Sequence, residues 1–267
     1  MKKFDSFDEY IETTKQAQEQ NMKNLNCYLF PDEIKLLIEK QSLFYVKNDT
    51  TLQIIAKHGR YFKVYFYGTD NFSFVEFDNL SLPVITDISY SQNLKERDLI
   101  LKQKLLNMNF EINSSSSRMT STNADISIRG CDYLIEKMNK NQVQDVFEIW
   151  EENFDAIENL LYDKSEILEN INSIFVLKNK EKKVVGAMEI ITSAKTGIIQ
   201  HVAIKKEFQN KGLGSYLEAF YIKFCKSLGI NTFLLYTIDD KLSVQNFHKK
   251  FGFDFDGKHN IQLIYRR

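Results

Sequence analysis

Residues 202–215 read VAIKKEFQNKGLGS, and the fold of the second half of the chain turns on that stretch. The strand-like run GIIQHVAI (197–204) ends in a short polar loop carrying Gly212 and Gly214, and a strongly amphipathic segment starts beyond it. Glycines remove side chains where a ligand or a strand must come close, and they reach conformations other residues avoid. A helix start exposes unpaired backbone N–H groups and the positive end of the helix dipole. Such a junction suits an anion, above all a pyrophosphate, and Lys205, Lys206 and Lys211 add positive charge around it. Taken alone, a two-glycine loop before a helix fits a plain strand-to-helix turn equally well.

Working outward, the helix from Gly212 buries Leu213, Leu217, Phe220, Tyr221, Phe224 and Leu228, and Gly229 stands where a C-terminal glycine ends a helix. TFLLYT is a strand, KLSVQNFHKK a helix, and NIQLIYRR a closing strand. Upstream, YLIEKMN (133–139) reads as a strand, followed by a helix with Val143, Val146, Phe147 and Trp150 on one face and a second helix over 156–170. SIFVLKN, VVGAMEII and GIIQHVAI, joined by polar turns, form antiparallel hairpins. The order is β-α-α-β-β-β-α-β-α-β.

The first half runs from a helix-prone start, through Pro31 before DEIKLLIEKQ, into an antiparallel meander of LFYV, TLQIIA, YFKVYFYG and FSFVEF. PVITDISY (83–90), a helix over 95–109 and FEINSSSSRMT follow. In YFKVYFY (61–67), alternation puts Tyr61, Lys63, Tyr65 and Tyr67 on an exposed or interface face, which argues against a base-stacking platform. Residues 114–125, SSSSRMTSTNAD, read as a linker or as an exposed strand end. The expected fold class is mixed α/β (α+β) with a mostly antiparallel sheet, in two domains of residues 1–125 and 126–267.

The 35 basic and 36 acidic side chains give a net charge of -1, so no general attraction for nucleic acid or an anionic membrane is expected. The start MKKFDSFDEYIETTKQAQ lacks the apolar core of a secretory signal, and no apolar run is long enough to span a bilayer. Cys27, Cys131 and Cys225 are scattered, which fits buried free thiols in a reducing cytoplasm and neither a disulfide frame nor a metal site.

The wider pattern resembles the GNAT superfamily of N-acetyltransferases. Gln209-Asn210-Lys211-Gly212-Leu213-Gly214 matches the family's Arg/Gln-x-x-Gly-x-Gly/Ala loop, after the strand Val202-Ala203-Ile204. The element order agrees, and FHKKFGF (247–253) looks like the family's Φ-Tyr-x-x-x-Gly-Phe ending of the last helix. The resemblance implies acetyl-CoA as co-substrate and a primary amine of a small molecule or peptide as acceptor, in a monomer or homodimer. Backbone groups of Val202, Ala203 and Ile204 would pair with the pantetheine arm. The Val202 N–H would face the acetyl carbonyl, the amides of 209–214 would hold the pyrophosphate, and Ser215 would add a hydroxyl. The family's tyrosine proton donor falls on His248, read here as the donor or as a solvent-facing helix histidine. Lys241 replaces a cofactor-contacting asparagine and is assigned to the cofactor's phosphates.

No base is evident. Alternation sets Ile198, Gln200 and Val202 on one face of their strand and His201 with Ala203 on the other, so His201 reads as packing unless a bulge re-aims it. Glu189 and Tyr236 are further candidates. The first half has no such glycine loop, yet its strand–helix–strand ending echoes the second half. It reads as a degenerate repeat in a tandem GNAT arrangement or as an unrelated accessory domain. An acyl-CoA-binding regulatory module without turnover is the alternative function.

Overall fold

The computed structural model describes residues 1–73, 77, 79–122 and 132–266. They form two compact units, Met1–Ser115 with His259–Arg267, and Ser116–Lys258. The units are thus discontinuous in sequence, and the boundary expected at 125/126 lies outside the described residues, as does Cys131.

In the first unit, β1 (Lys2–Lys3), α1 (Phe7–Glu19), β2 (Lys23–Asn24) and α2 (Pro31–Glu39) lead into the meander β3 (Leu43–Lys47), β4 (Thr51–Lys57) and β5 (Phe62–Gly68). β6 (Val84–Ser91) and α3 (Glu96–Leu106) follow, then the first part of β7 (Phe110–Ser121). Ser6 caps α1 by accepting from the Glu9 N–H, and Pro31 opens α2. FSFVEF forms no strand among its described residues.

β5 is buried on both faces. Phe62, Val64 and Phe66 join a core beneath α3, whereas Tyr65 and Tyr67 pack with Phe4, Tyr10, Ile34 and Leu37 from the α1–α2 side. The tyrosine face expected to be exposed is therefore a second core, because α1 and α2 cover it.

In the second unit, β8 (Leu134–Lys137), α4 (Val143–Asn153), α5 (Lys164–Glu169), β9 (Ile174–Lys178), β10 (Val184–Thr192) and β11 (Thr196–Ile204) come first. α6 (Leu213–Ser227), β12 (Thr232–Ile238), α7 (Leu242–Lys249) and β13 (Asp254–Tyr265) complete the chain. The helix expected over 156–170 is only α5. The Asp155 carboxylate accepts from the Ile157 and Glu158 N–H groups, and Leu160 has φ 52°, so the chain turns there instead of winding. Leu228, expected in the core, is exposed at the frayed end of α6.

The serine-rich stretch is strand. Residues 116–121 of β7 pair antiparallel with β12, from Ser116↔Ile238 to Ser121↔Phe233, and Arg118 grips Asp256 through its Nε at 2.8 Å. Conversely, Ile261 and Leu263 of the last strand lie in the first unit's core. Each unit closes its sheet with a segment from the other half of the sequence.

Candidate active site

β11 and β12 run parallel, but their pairing covers only Thr196↔Thr232, Gly197↔Phe233 and Ile198↔Leu234. Beyond that point the strands separate, leaving edges without strand pairing at 199–203 and 235–237 facing an opening; the Ile204 carbonyl accepts from Gln209, and the Ile238 carbonyl from Gln245 and the Lys241 N–H. Tyr221, from the middle of α6, fixes where the separation begins. Its hydroxyl donates to the Gly197 carbonyl at 2.6 Å and accepts from the Leu234 N–H at 3.1 Å. Burial drives this phenol well above its usual range, so it stays protonated and can donate. Gly197 is required there, since a Cβ would come within 2.4 Å of the Cys225 sulfur.

At the mouth of this opening lies the glycine turn. A 3-10 turn over Lys206–Phe208 leads to Asn210 at φ 60° and Gly212 at φ 78°, from which α6 starts without a side-chain cap. Open space surrounds Gly212 where a Cβ would stand. The N–H groups of the first turn therefore project into free volume from the positive end of the helix.

Gln209 has a structural task. Its amide donates to the Ile204 carbonyl at 3.0 Å and to Asn153 Oδ1 at 2.8 Å, tying the turn to β11 and α4. Lys211 donates to the Glu207 carbonyl and lies over the Phe208 ring, and Leu213 is buried, so these two offer backbone only. Asn210, Gly212 and Ser215 are exposed, and Gly214 packs on Phe247 of α7. Lys241, expected at a phosphate, has Asp240 at 3.4 Å, and its charge acts on Glu158 instead.

His248 is buried, which removes the solvent-facing alternative. Its Nδ1 lies 3.2 Å from Oε1 of Glu218, a wholly buried carboxylate of α6. With Nδ1–H donating to Glu218, Nε2 is the ring nitrogen left for other partners. Glu218 lies 30 positions away on another helix, so nothing local in the sequence signals the pair.

A second histidine–carboxylate pair occupies the α4 side of β11. The register between β10 and β11 shifts between Ala187↔Ala203 and Glu189↔Gln200, and His201 takes φ 47°. This is the bulge that strict alternation lacked. Across it Val202 turns to the cluster of Ile199 and Ile204, not to the face of Ile198. His201 meets Trp150, Tyr162 and Phe154, with its Nε2 3.0 Å from the Asn159 carbonyl and its Nδ1 3.5 Å from Glu189 Oε2. With Nε2–H donating to Asn159, His201 Nδ1 and Glu189 Oε2 face each other as two acceptors, and both lack a hydrogen bond. One added proton satisfies both atoms.

The acids of 141–163 divide by task. Glu152 accepts from the Lys206 N–H, Asp155 braces its own turn and Asp163 caps α5. Glu158 differs: burial raises its carboxyl above the ordinary value, and the opposing pull of Lys241 does not offset it. Tyr236 is half exposed on β12. No group of three or more His, Cys, Asp or Glu able to hold a metal occurs among the described residues.

Residues 141–253 match the model of the acetyltransferase (GNAT) family. The second unit carries this match over most of its length and has the GNAT fold. Across the whole chain, a tandem GNAT protein from the clavulanic acid biosynthesis pathway is similar at TM-score 0.56 and 7% identity, covering 80% of this chain and 78% of that one. A GCN5-related N-acetyltransferase from Sphaerobacter thermophilus is similar at TM-score 0.52 and 10% identity, over 89% and 85%. A functionally unknown conserved protein from Staphylococcus epidermidis is similar at TM-score 0.51 and 18% identity, over 68% and 72%. These likenesses concern the fold, and that fold is the tandem GNAT architecture. A search of the curated proteins found no match. No helix among the described residues is long and apolar enough to cross a membrane.

The first unit repeats the splay without the means to use it. β5 and β6 pair only at Phe62↔Val84 and Lys63↔Ile85. The gap beyond is filled by Asn26, whose amide donates to Thr86 Oγ1 at 2.8 Å and the Asp87 carbonyl at 2.9 Å and accepts from the Phe66 N–H at 2.8 Å. The strand edges that a pantetheine arm would need are already hydrogen-bonded.

Proposed function

We propose that the GNAT domain transfers the acetyl group of acetyl-CoA to a primary amine of a small molecule or peptide by direct attack, in the cytoplasm. The observation that carries this reading is the opening between β11 and β12, held by Tyr221 and ending at an uncapped helix start. Its edges fit an extended arm: 202–203 and 235–237 lack strand pairing on the facing side, and the N–H groups of 212–215 supply a pyrophosphate site. Bound there, acetyl-CoA supplies an activated thioester.

The chain's own residues then handle charge and protons. The Val202 N–H, at the bulge, is assigned to oxyanion stabilisation. A doubly protonated His248, its Nδ1–H held by Glu218, gives its Nε2 proton to the departing thiolate. The His201–Glu189 pair, lined by Trp150 and Tyr162, accepts the proton of the acceptor ammonium, which the partly desolvated Glu158 attracts. Buried free Cys27 and Cys225 agree with a reducing compartment.

Thiol release from acetyl-CoA over a panel of amines tests the reading. Turnover that is lost in His248→Ala, with acetyl-CoA binding retained, and binding that is lost in Gly212→Glu are the expected results. Tight binding without turnover on any amine would make the protein a regulatory acyl-CoA-binding module instead.

A further inference from the structure

The first unit contains a cavity of about 180 Å³ between β5, β6 and the α1–α2 side. Its lining includes Asn26, Glu33, Lys63, Tyr65, Asp87 and Ser89. It opens where the splay of β5 from β6 begins, beside the Asn26 plug.

Its wall is charged and only partly self-satisfied. Lys63 Nζ lies 2.5 Å from Asp87 Oδ2, and Asp87 Oδ1 accepts from Asn260 at 3.3 Å. Burial alone would favour a neutral Lys63, but Asp87 outweighs it and holds the ammonium well above its usual range. Asp87 fills one of the three N–H donors of Lys63, and Asp87 itself is used. The Tyr65 hydroxyl lines the cavity from a side chain only 6% exposed, and no hydrogen bond reaches it among the described residues. Glu33, half-buried on α2, lines the opposite chemistry, a carboxylate without an ion pair among the described residues. Lys63 and Tyr65 on β5 thus present donors to the cavity and Glu33 on α2 presents an acceptor, with room between for roughly six waters.

We propose that this cavity binds a small zwitterion of the α-amino acid class, with its carboxylate on Lys63 and the Tyr65 hydroxyl and its ammonium on Glu33. A simple amine would leave the Lys63 and Tyr65 donors unfilled, and a simple carboxylate would leave Glu33. The site is independent of acetyl transfer, because the acetyl-CoA opening belongs to the other unit.

The test is thermal shift and calorimetry on the full chain with each of the common L-amino acids, using ethylamine and acetate as single-group controls. At least one amino acid should raise Tm while neither control does so. Glu33→Gln and Tyr65→Phe, which remove a charge and a hydroxyl without emptying the core, should each weaken that binding tenfold or more at nearly unaltered Tm without ligand. Absence of any shift, an equal shift with ethylamine or acetate, or binding untouched by both variants would overturn the proposal. The last outcome would assign amino acid binding to the acceptor side of the GNAT domain.

Discussion

Replacing Tyr221 by phenylalanine removes one oxygen from the vertex between β11 and β12 and leaves the ring in its core position. That oxygen donates to the Gly197 carbonyl at 2.6 Å and accepts from the Leu234 N–H at 3.1 Å. Both partners are backbone groups beside a wholly buried side chain, so water does not readily replace the hydroxyl. An unsatisfied buried polar group costs about 1–3 kcal/mol, and two of them set an expected loss of about 2–4 kcal/mol, since the strands can relax toward each other. Relaxation has its own signature. Strands that zip past Ile198↔Leu234 close the edges a pantetheine arm needs, so the acetyl-CoA Kd should rise about tenfold or more, near 1.4 kcal/mol. Urea unfolding gives the first quantity and calorimetry with acetyl-CoA the second. A loss below about 0.5 kcal/mol with unaltered Kd would refute the assignment of Tyr221 as the spacer of the two strands.

Gly197→Ala should abolish stable folding, because its Cβ would sit 2.4 Å from Cys225 Sγ, and Cys225→Ala should restore most of the loss in the double variant; thermal melts of the four proteins decide this. Burial pushes the Cys225 thiol up to about 11, so a thiol reagent at pH 8 should modify it only as fast as the domain unfolds, which a labelling time course in urea measures. Glu218→Gln should lower kcat about tenfold or more with acetyl-CoA binding intact, whereas an unaltered kcat would deny His248 its orienting partner. For Asp256, burial alone would raise the carboxyl, but hydrogen bonding to Arg118 outweighs it and the folded value is depressed. Its contribution is therefore complete above the ordinary carboxylate value, about pH 4, and is lost as pH falls through the depressed one. The stability gap between wild type and Asp256→Asn should shrink below pH 4, measured by urea midpoints at stepped pH.

What was legible in the sequence was local. Two glycines before an amphipathic helix, and the period of Leu213, Leu217 and Tyr221, required no knowledge of any partner strand. The bulge beside His201 could not be read from its own strand, because a bulge is a property of two strands in register and one strand's alternation cannot contain it. Glu218 gave no local sign of its role, because its partner His248 lies 30 positions on, in α7. Tyr65 and Tyr67 read as an exposed or interface face because their covering helices lie earlier in the chain. The serine run is strand because β12 offers a partner for it, a pairing over more than a hundred positions that composition does not encode.

The exchange of closing segments bears on how the protein is made. Ile261 and Leu263 belong to the core of the N-terminal unit, so that unit stays incomplete until residues 259–267 have left the ribosome. The strand that the GNAT domain takes from 116–121 has by then long been waiting, its hydrogen-bonding edge open until β12 emerges. The chain therefore matures almost in reverse of its synthesis, and a nascent chain halted before residue 259 should retain the acetyl-CoA site while its N-terminal unit remains protease-sensitive.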